Sequence, residues 1–438
     1  MKQTIRLLLQ LFLTIALPGL AAGAAETTFS ADLPALFTGQ FNKKLEEAGL
    51  DYRGFVDLRG GRRLRQPLAE ESTSMAESRL QLELNGDFAG LLGKIKGDLF
   101  ADAVDDHSGA ELREAFFLAS PLEFADLKVG RQIMTWGTGD LLFINDLFPK
   151  DWKAFFIGRD DEYLKAPADA ARLSLFFAQA NLDFVYMPRF NPSSYIDGHR
   201  LSYWFPGTQT IVGRNHILRD DERSRWFDDD EIALRLYRNW GGTEVALYFY
   251  DGYWKTPEGM LEDGRVYYPG LQTFGASLRT SLEGGLAHLE VGHYDSKEDR
   301  HGDNPLVRNS EWRLLIGYEH EVAPDLTAGL QYYLEYMEDY DNYRHSLPPQ
   351  TEKRDQYRHL LTLRLTQLLL SQNLKLSLFA YYSPSDQDAH LRPQISYKLT
   401  DNWLLVGGAN LFSGESEATF FGQFEENSNA YAGLRYNF

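Results

Sequence analysis

The chain has 438 residues, no cysteine, and a net charge of −19 from 44 Lys and Arg against 63 Asp and Glu. Without cysteine there is no disulfide framework, thiolate metal site or cysteine nucleophile, and so acidic a surface argues against nucleic-acid binding. Aromatic residues reach 14%, with 24 Tyr and 28 Phe, and no linker, low-complexity tract or composition break marks a second domain.

At the N-terminus, Lys2 and Arg6 precede apolar runs at 7–9 and 11–17, Pro18 and Gly19 break the helix, and Ala22-Gly23-Ala24 supplies small residues. Basic, apolar and small segments in that order predict a cleaved secretory signal over 1–25, too short in its apolar part to span a bilayer. Losing Lys2 and Arg6 would leave a net charge of −21. Residues 26–50 are expected to form an N-terminal periplasmic segment. Within it, Leu33, Leu36, Phe37, Phe41 and Leu45 share one face of a helix expected over 30–49, which would be a small plug, a cap at the periplasmic mouth or a tether.

From residue 51 to 438, segments of about ten residues alternate apolar and polar side chains, as a membrane barrel requires. Examples are Leu80/Leu82/Leu84, Leu173/Leu175/Phe177, Ile232/Leu234/Leu236, Trp312/Leu314/Ile316/Tyr318 and Leu374/Leu376/Leu378. No segment beyond the signal reaches the roughly 18 apolar residues of a spanning helix. Short turns at 87–90, 120–123, 179–181, 239–242, 283–285, 323–325, 371–373 and 400–402 alternate with longer connections. The latter lie at 60–75, 104–110, 137–170, 190–229, 252–269, 296–309, 338–355, 384–389 and 413–428. A soluble sandwich has no reason to alternate its loop lengths. The pattern predicts an all-β, closed antiparallel up-and-down transmembrane β-barrel of about eighteen strands, with sixteen as the alternative. Trp240, Tyr248, Tyr332, Tyr381, Trp403 and Tyr436, near strand ends, are expected in the interfacial aromatic girdles.

The third long connection is unusually apolar, with Leu141, Leu142, Phe143, Ile144, Leu147, Phe148, Trp152, Phe155, Phe156 and Ile157. Such a loop would be costly in water. Pro149 and Gly158 bracket a short helix at 150–157. The loop is therefore expected to fold into the barrel. It would present Lys150, Asp151, Lys153, Arg159, Asp160, Asp161 and Lys165 at a pore constriction.

With the Leu-rich faces toward lipid, the lumen wall would carry Arg79, Lys94, Lys96, Arg113, Arg172, Arg235, Arg279, Arg313, Arg364, Lys375, Arg392 and Lys398. Its acids would be Asp57, Glu83, Asp98, Asp183, Glu244, Glu290 and Glu335. A net basic wall attracts anions; the alternative is cross-lumen ion pairing with no chosen solute. The ten histidines are scattered, and no HExxH, GxSxG or phosphate-binding glycine loop is present, so no enzyme activity, metal or cofactor is expected.

The chain ends inside a strand, with Ala430, Ala432, Leu434, Tyr436 and Phe438 on one face and Tyr431, Gly433 and Arg435 on the other. This ending resembles the closing strand of Gram-negative outer-membrane β-barrels. In that class, Tyr436 and the terminal Phe438 would be part of the signal read by the assembly machinery. Val129-Gly130-Arg131-Gln132 with Trp136-Gly137 resembles a strand motif of porin-like and alginate-export-like barrels, and the inward third loop resembles a porin constriction loop. The resemblance implies a cell outer-membrane channel for passive or substrate-selective passage of small hydrophilic solutes, and the basic wall makes anions the expected ones. Outer-membrane lipid and lipopolysaccharide would surround it, and homo-oligomers are compatible with it. The alternative is a barrel that sheathes or docks an export or electron-transfer partner.

Overall fold

In the computed structural model, residues 49–438 are described, except Leu68, Glu222, Gln350 and Glu352. The expected signal and the helix at 30–49 lie outside the described residues.

Eighteen antiparallel strands form one sheet. In chain order they are β1 (Leu50–Arg63), β2 (Thr73–Asp87), β3 (Leu91–Asp102), β4 (His107–Leu122), β5 (Ala125–Ile133) and β6 (Pro167–Phe176). Then come β7 (Asn181–Met187), β8 (Glu231–Trp240), β9 (Thr243–Tyr253), β10 (Gly270–Leu282), β11 (Gly285–Ser296) and β12 (Glu311–Ala323). The last six are β13 (Leu326–Met337), β14 (Tyr357–Leu369), β15 (Leu374–Ser383), β16 (Asp388–Lys398), β17 (Trp403–Gly414) and β18 (Asn429–Asn437). Each strand pairs with the next, and β18 closes on β1 with Asn437 opposite Phe55 and Asn429 opposite Arg63. The closing partner thus runs four residues beyond the Tyr52–Arg59 stretch that alternation suggests. Closure removes the sheet edge, which a bilayer cannot satisfy with water.

The burial pattern is inverted relative to a soluble protein. Along β2, Glu77, Arg79, Gln81 and Glu83 are buried, whereas the intervening Leu80, Leu82 and Leu84 are more exposed. Leu289, Ile316, Leu330, Leu361 and Leu376 are large, exposed and apolar on the outer face. Side chains alternate across a strand, so an apolar belt outside and a polar wall inside follow from the same residues.

The eight short turns fall where alternation places them. Two of the nine longer connections do not, since 103–106 and 384–387 are four-residue turns. The strands reach further into these connections, β4 beginning at His107 and β16 at Asp388, so the loop-length alternation is incomplete at these two sites. Of the aromatics expected at the interfaces, Trp403 packs on Tyr436 with ring centroids 4.9 Å apart, and Trp240 is 80% exposed. Tyr248 and Tyr381 are instead buried on the inner face. Their period-2 phase, which near-end position cannot reveal, decides this.

Candidate functional site

The connection 134–166 is bonded to inner-phase side chains of several strands. It leaves β5 through Gln132, whose side chain is fully buried and donates to Ala170 O at 3.0 Å. Gly130 before it has φ +129°, and a Cβ there would overlap the Ala115 carbonyl, so glycine is required. Trp136 then packs edge-on against Phe148 at 5.0 Å. The Glu290 carboxylate of β11 accepts from the backbone N–H groups of Thr138, Gly139 and Asn145, the latter two at 2.9 and 3.3 Å. Gly137 lies against that carboxylate with φ +80°.

Further along, α1 (Trp152–Ile157) is capped at its start by the Asp151 carboxylate, which accepts from Ala154 N at 3.0 Å. It ends at Gly158 with φ 92°. A Cβ on Gly158 would overlap the Tyr431 ring. Phe155 and Phe156 of α1 pack on His390, and Phe156 also on Phe412 and Phe424, within ring separations of 5.0–6.0 Å. The Asn429 side chain donates to Phe156 O at 3.2 Å.

Ion pairs complete the attachment. Arg159 forks onto the Glu77 carboxylate of β2 with two bonds of 2.8 Å. Burial alone would lower its pKa, but the carboxylates of Glu77, Asp151 and Asp102 outweigh it and hold the guanidinium charged. Asp160 lies 3.1 Å from Arg435, Asp161 3.0 Å from Arg392, and Glu162 3.4 Å from Lys96. Asp140 is paired with Arg364 of β14, with Nη2 at 2.8 Å. Tyr163 lies between two guanidiniums, Arg79 at 4.6 Å and Arg113 at 4.7 Å from its ring centroid. The strands holding Glu77 and Glu290, β2 and β11, stand nine places apart in the eighteen-strand ring, and 134–166 is bonded to both.

The residues expected at the constriction divide into two groups. Asp160, Asp161, Arg159 and Lys153 are partly exposed and paired, Lys153 with Asp197 at 2.6 Å. Lys165 is partly buried and makes no ion pair among the described residues. Lys150 does not line open space: it is buried, with Nζ 2.9 Å from Asp146 and 2.8 Å from Phe148 O. Burial lowers its pKa, and Asp146 opposes this in part. Asp151 serves as a helix cap and receives the Ser194 hydroxyl.

Along the wall, nine of the eleven cations from Arg79 to Arg392 lie within 4.0 Å of a carboxylate. They are Arg79, Lys94, Lys96, Arg113, Arg172, Arg235, Arg313, Arg364 and Arg392. Arg279 and Lys375 are exposed and make no such pair among the described residues, nor does Lys398. The expectation of a net basic wall undercounted the acids. Glu77, Glu111, Glu231, Glu311 and Asp388 also lie in the inner phase, at or near strand ends, and only Asp388 falls within an expected connection.

No family model matches the chain, and no curated protein matches it. Solved structures do. Acinetobacter baumannii OccAB3 aligns at a TM-score of 0.53 with 10% identity, covering 89% of this chain and 99% of that one. A triple mutant of Rhodopseudomonas blastica porin aligns at 0.40 with 12% identity, covering 89% and 100%. With its closed eighteen-strand ring, apolar outside and polar inside, the chain has the fold of the Gram-negative outer-membrane porin barrels.

Proposed function

We propose that this protein is a porin-type channel of the cell outer membrane, passing small hydrophilic solutes, with 134–166 folded into the lumen as its constriction. The observation that carries the reading is the attachment of this one apolar segment to inner-phase side chains on opposite sides of the ring, Glu77 and Glu290. A segment so placed narrows the lumen without closing the sheet around it. Its partly exposed charges, Asp140, Asp160, Asp161 and Glu162, then face the solute beside their wall partners.

Preference for anions is the finer part of the proposal. Paired wall charges largely cancel beyond a few ångströms, so the preference rests on the cations without a carboxylate in contact: Lys165, Arg279, Lys375 and Lys398. Purified protein in a planar bilayer should form discrete conductance steps, and a salt gradient should give a reversal potential favouring anions. Replacing Arg279, Lys375 and Lys398 together by Gln should move that potential toward zero. A barrel that folds but never conducts refutes the channel, and cation preference in the unaltered protein refutes the anionic assignment.

A further inference from the structure

The long connection 188–230 is bonded to 134–166 through residues 193–197. Ser194 N–H donates to Lys150 O at 2.8 Å, Trp152 N–H to Ser194 O at 3.4 Å, and Lys150 N–H to Ser193 Oγ at 2.9 Å. Lys153 reaches Asp197. Beyond this zipper stands Arg200, only 3% exposed in its side chain. Its Nη2 donates to the Glu77 carboxylate at 3.0 Å, its Nη1 to Asp105 at 3.0 Å and to Asp102, and its Nε to Ser74 O at 3.2 Å.

Glu77 is the same carboxylate that Arg159 grips from the other connection. One wall side chain therefore receives guanidiniums from two separate loops. Two residues on, Ser202 is fully buried and exchanges backbone bonds with the Asn427 side chain at 3.1 and 2.9 Å. This ties 188–230 to a third connection, 415–428.

We propose that 188–230 is a second element of the constriction, and that Arg200 is a positioning residue that sets the size cut-off by locking this connection, and through the zipper 134–166, onto Glu77. The inference rests on the channel reading above and adds a residue outside the expected lining. Charge-assisted forked bonds fix geometry as well as energy, and a neutral or shorter side chain cannot reproduce them. With Arg200 gone, the loop keeps its backbone zipper and the bond from Arg63 of β1 to its carbonyl at 200, but loses its side-chain hold on Glu77, Asp102 and Asp105, so this end of the loop can shift.

The test exploits the absence of native cysteine. Ser202→Cys introduces a single buried thiol at a position whose hydroxyl has no hydrogen-bond partner. In the folded barrel, a water-soluble maleimide should label it slowly, and at least about tenfold faster when Arg200→Ala is added. In liposome swelling with sugars of increasing size, Arg200→Ala should pass larger sugars than the parent, and Arg200→Lys should fall between them. The β-sheet should still form in Arg200→Ala, at a lower melting temperature because the buried Glu77 and Asp102 carboxylates lose a cation, and labelling is read well below that temperature. Should Arg200→Ala fail to fold, Arg200→Lys carries the same comparison.

Unchanged labelling overturns the anchoring role. Faster labelling with an unchanged cut-off overturns the gating role. A parent that passes no sugar overturns the channel reading beneath the inference, and the labelling rates distinguish that failure from a failure of the anchor.

Discussion

Leu363→Arg is the most direct probe of which face meets lipid. Leu363 is the middle residue of β14, six positions from either end, and is 36% exposed on the outer face. Across the ladder it sits opposite Leu330 and Ala380, with Leu361 and Leu365 beside it in the same phase. Six residues at about 3.3 Å per residue, tilted by roughly 40°, place it about 15 Å from each strand end, close to the bilayer midplane. An arginine there should cost about 2–4 kcal/mol. By RT ln K, that is roughly a 30- to 1,000-fold loss in the folding equilibrium. Guanidinium titration of the barrel in phosphatidylcholine vesicles, followed by tryptophan emission, measures it. A change under about 0.5 kcal/mol would refute the assignment of the leucine phase to lipid, since an arginine in the lumen would be solvated.

Leu376→Arg, two residues inside the turn-side end of β15, should cost less than Leu363→Arg in the same titration, near or below about 2 kcal/mol, because penalties fall toward the interface. Lys150→Met should destabilise by about 3–5 kcal/mol, since it strands the buried Asp146 carboxylate; chemical denaturation of the variant measures this. Asp140→Asn and Arg364→Gln should each raise single-channel conductance, and the double variant should add little to either. Full additivity would show that the two side chains act independently.

The fold was legible because two periods agree. Residue alternation separates Leu80, Leu82 and Leu84 from Arg79, Gln81 and Glu83, and the turns divide the chain at every second crossing. The helix at the constriction was legible from Pro149 and Gly158, shortened in the structure to Trp152–Ile157 because Asp151 takes the capping place. Partner choice was not legible. Nothing local tells that Arg159 and Arg200, 41 positions apart, meet on Glu77, or that Glu290 receives N–H groups from 138–145. Those contacts join residues 82 to 152 positions apart and depend on barrel closure. Glu77 itself could have been found, because it lies beyond the expected connection 60–75 and is in phase with Arg79.

The paired wall changes what the inner charges are for. A basic face left open would act on solutes through its field, and its cations would be interchangeable. Here most have a carboxylate within 4.0 Å, several of them supplied by 134–166, so the nearest negative charge a wall arginine meets belongs to the protein. Partly exposed pairs of this kind add little net stability, on the order of 0–1 kcal/mol each. Each nevertheless fixes where one residue of the segment can sit: Asp140 at β14, Asp161 at β16, Asp160 at β18 and Glu162 at β3. Four weak attachments on four strands define the position of a loop that its apolar side chains alone would allow to slide along the wall. On this account the shape of the opening, more than the sign of its walls, decides what passes, and the residues that matter most are those whose loss moves the loop.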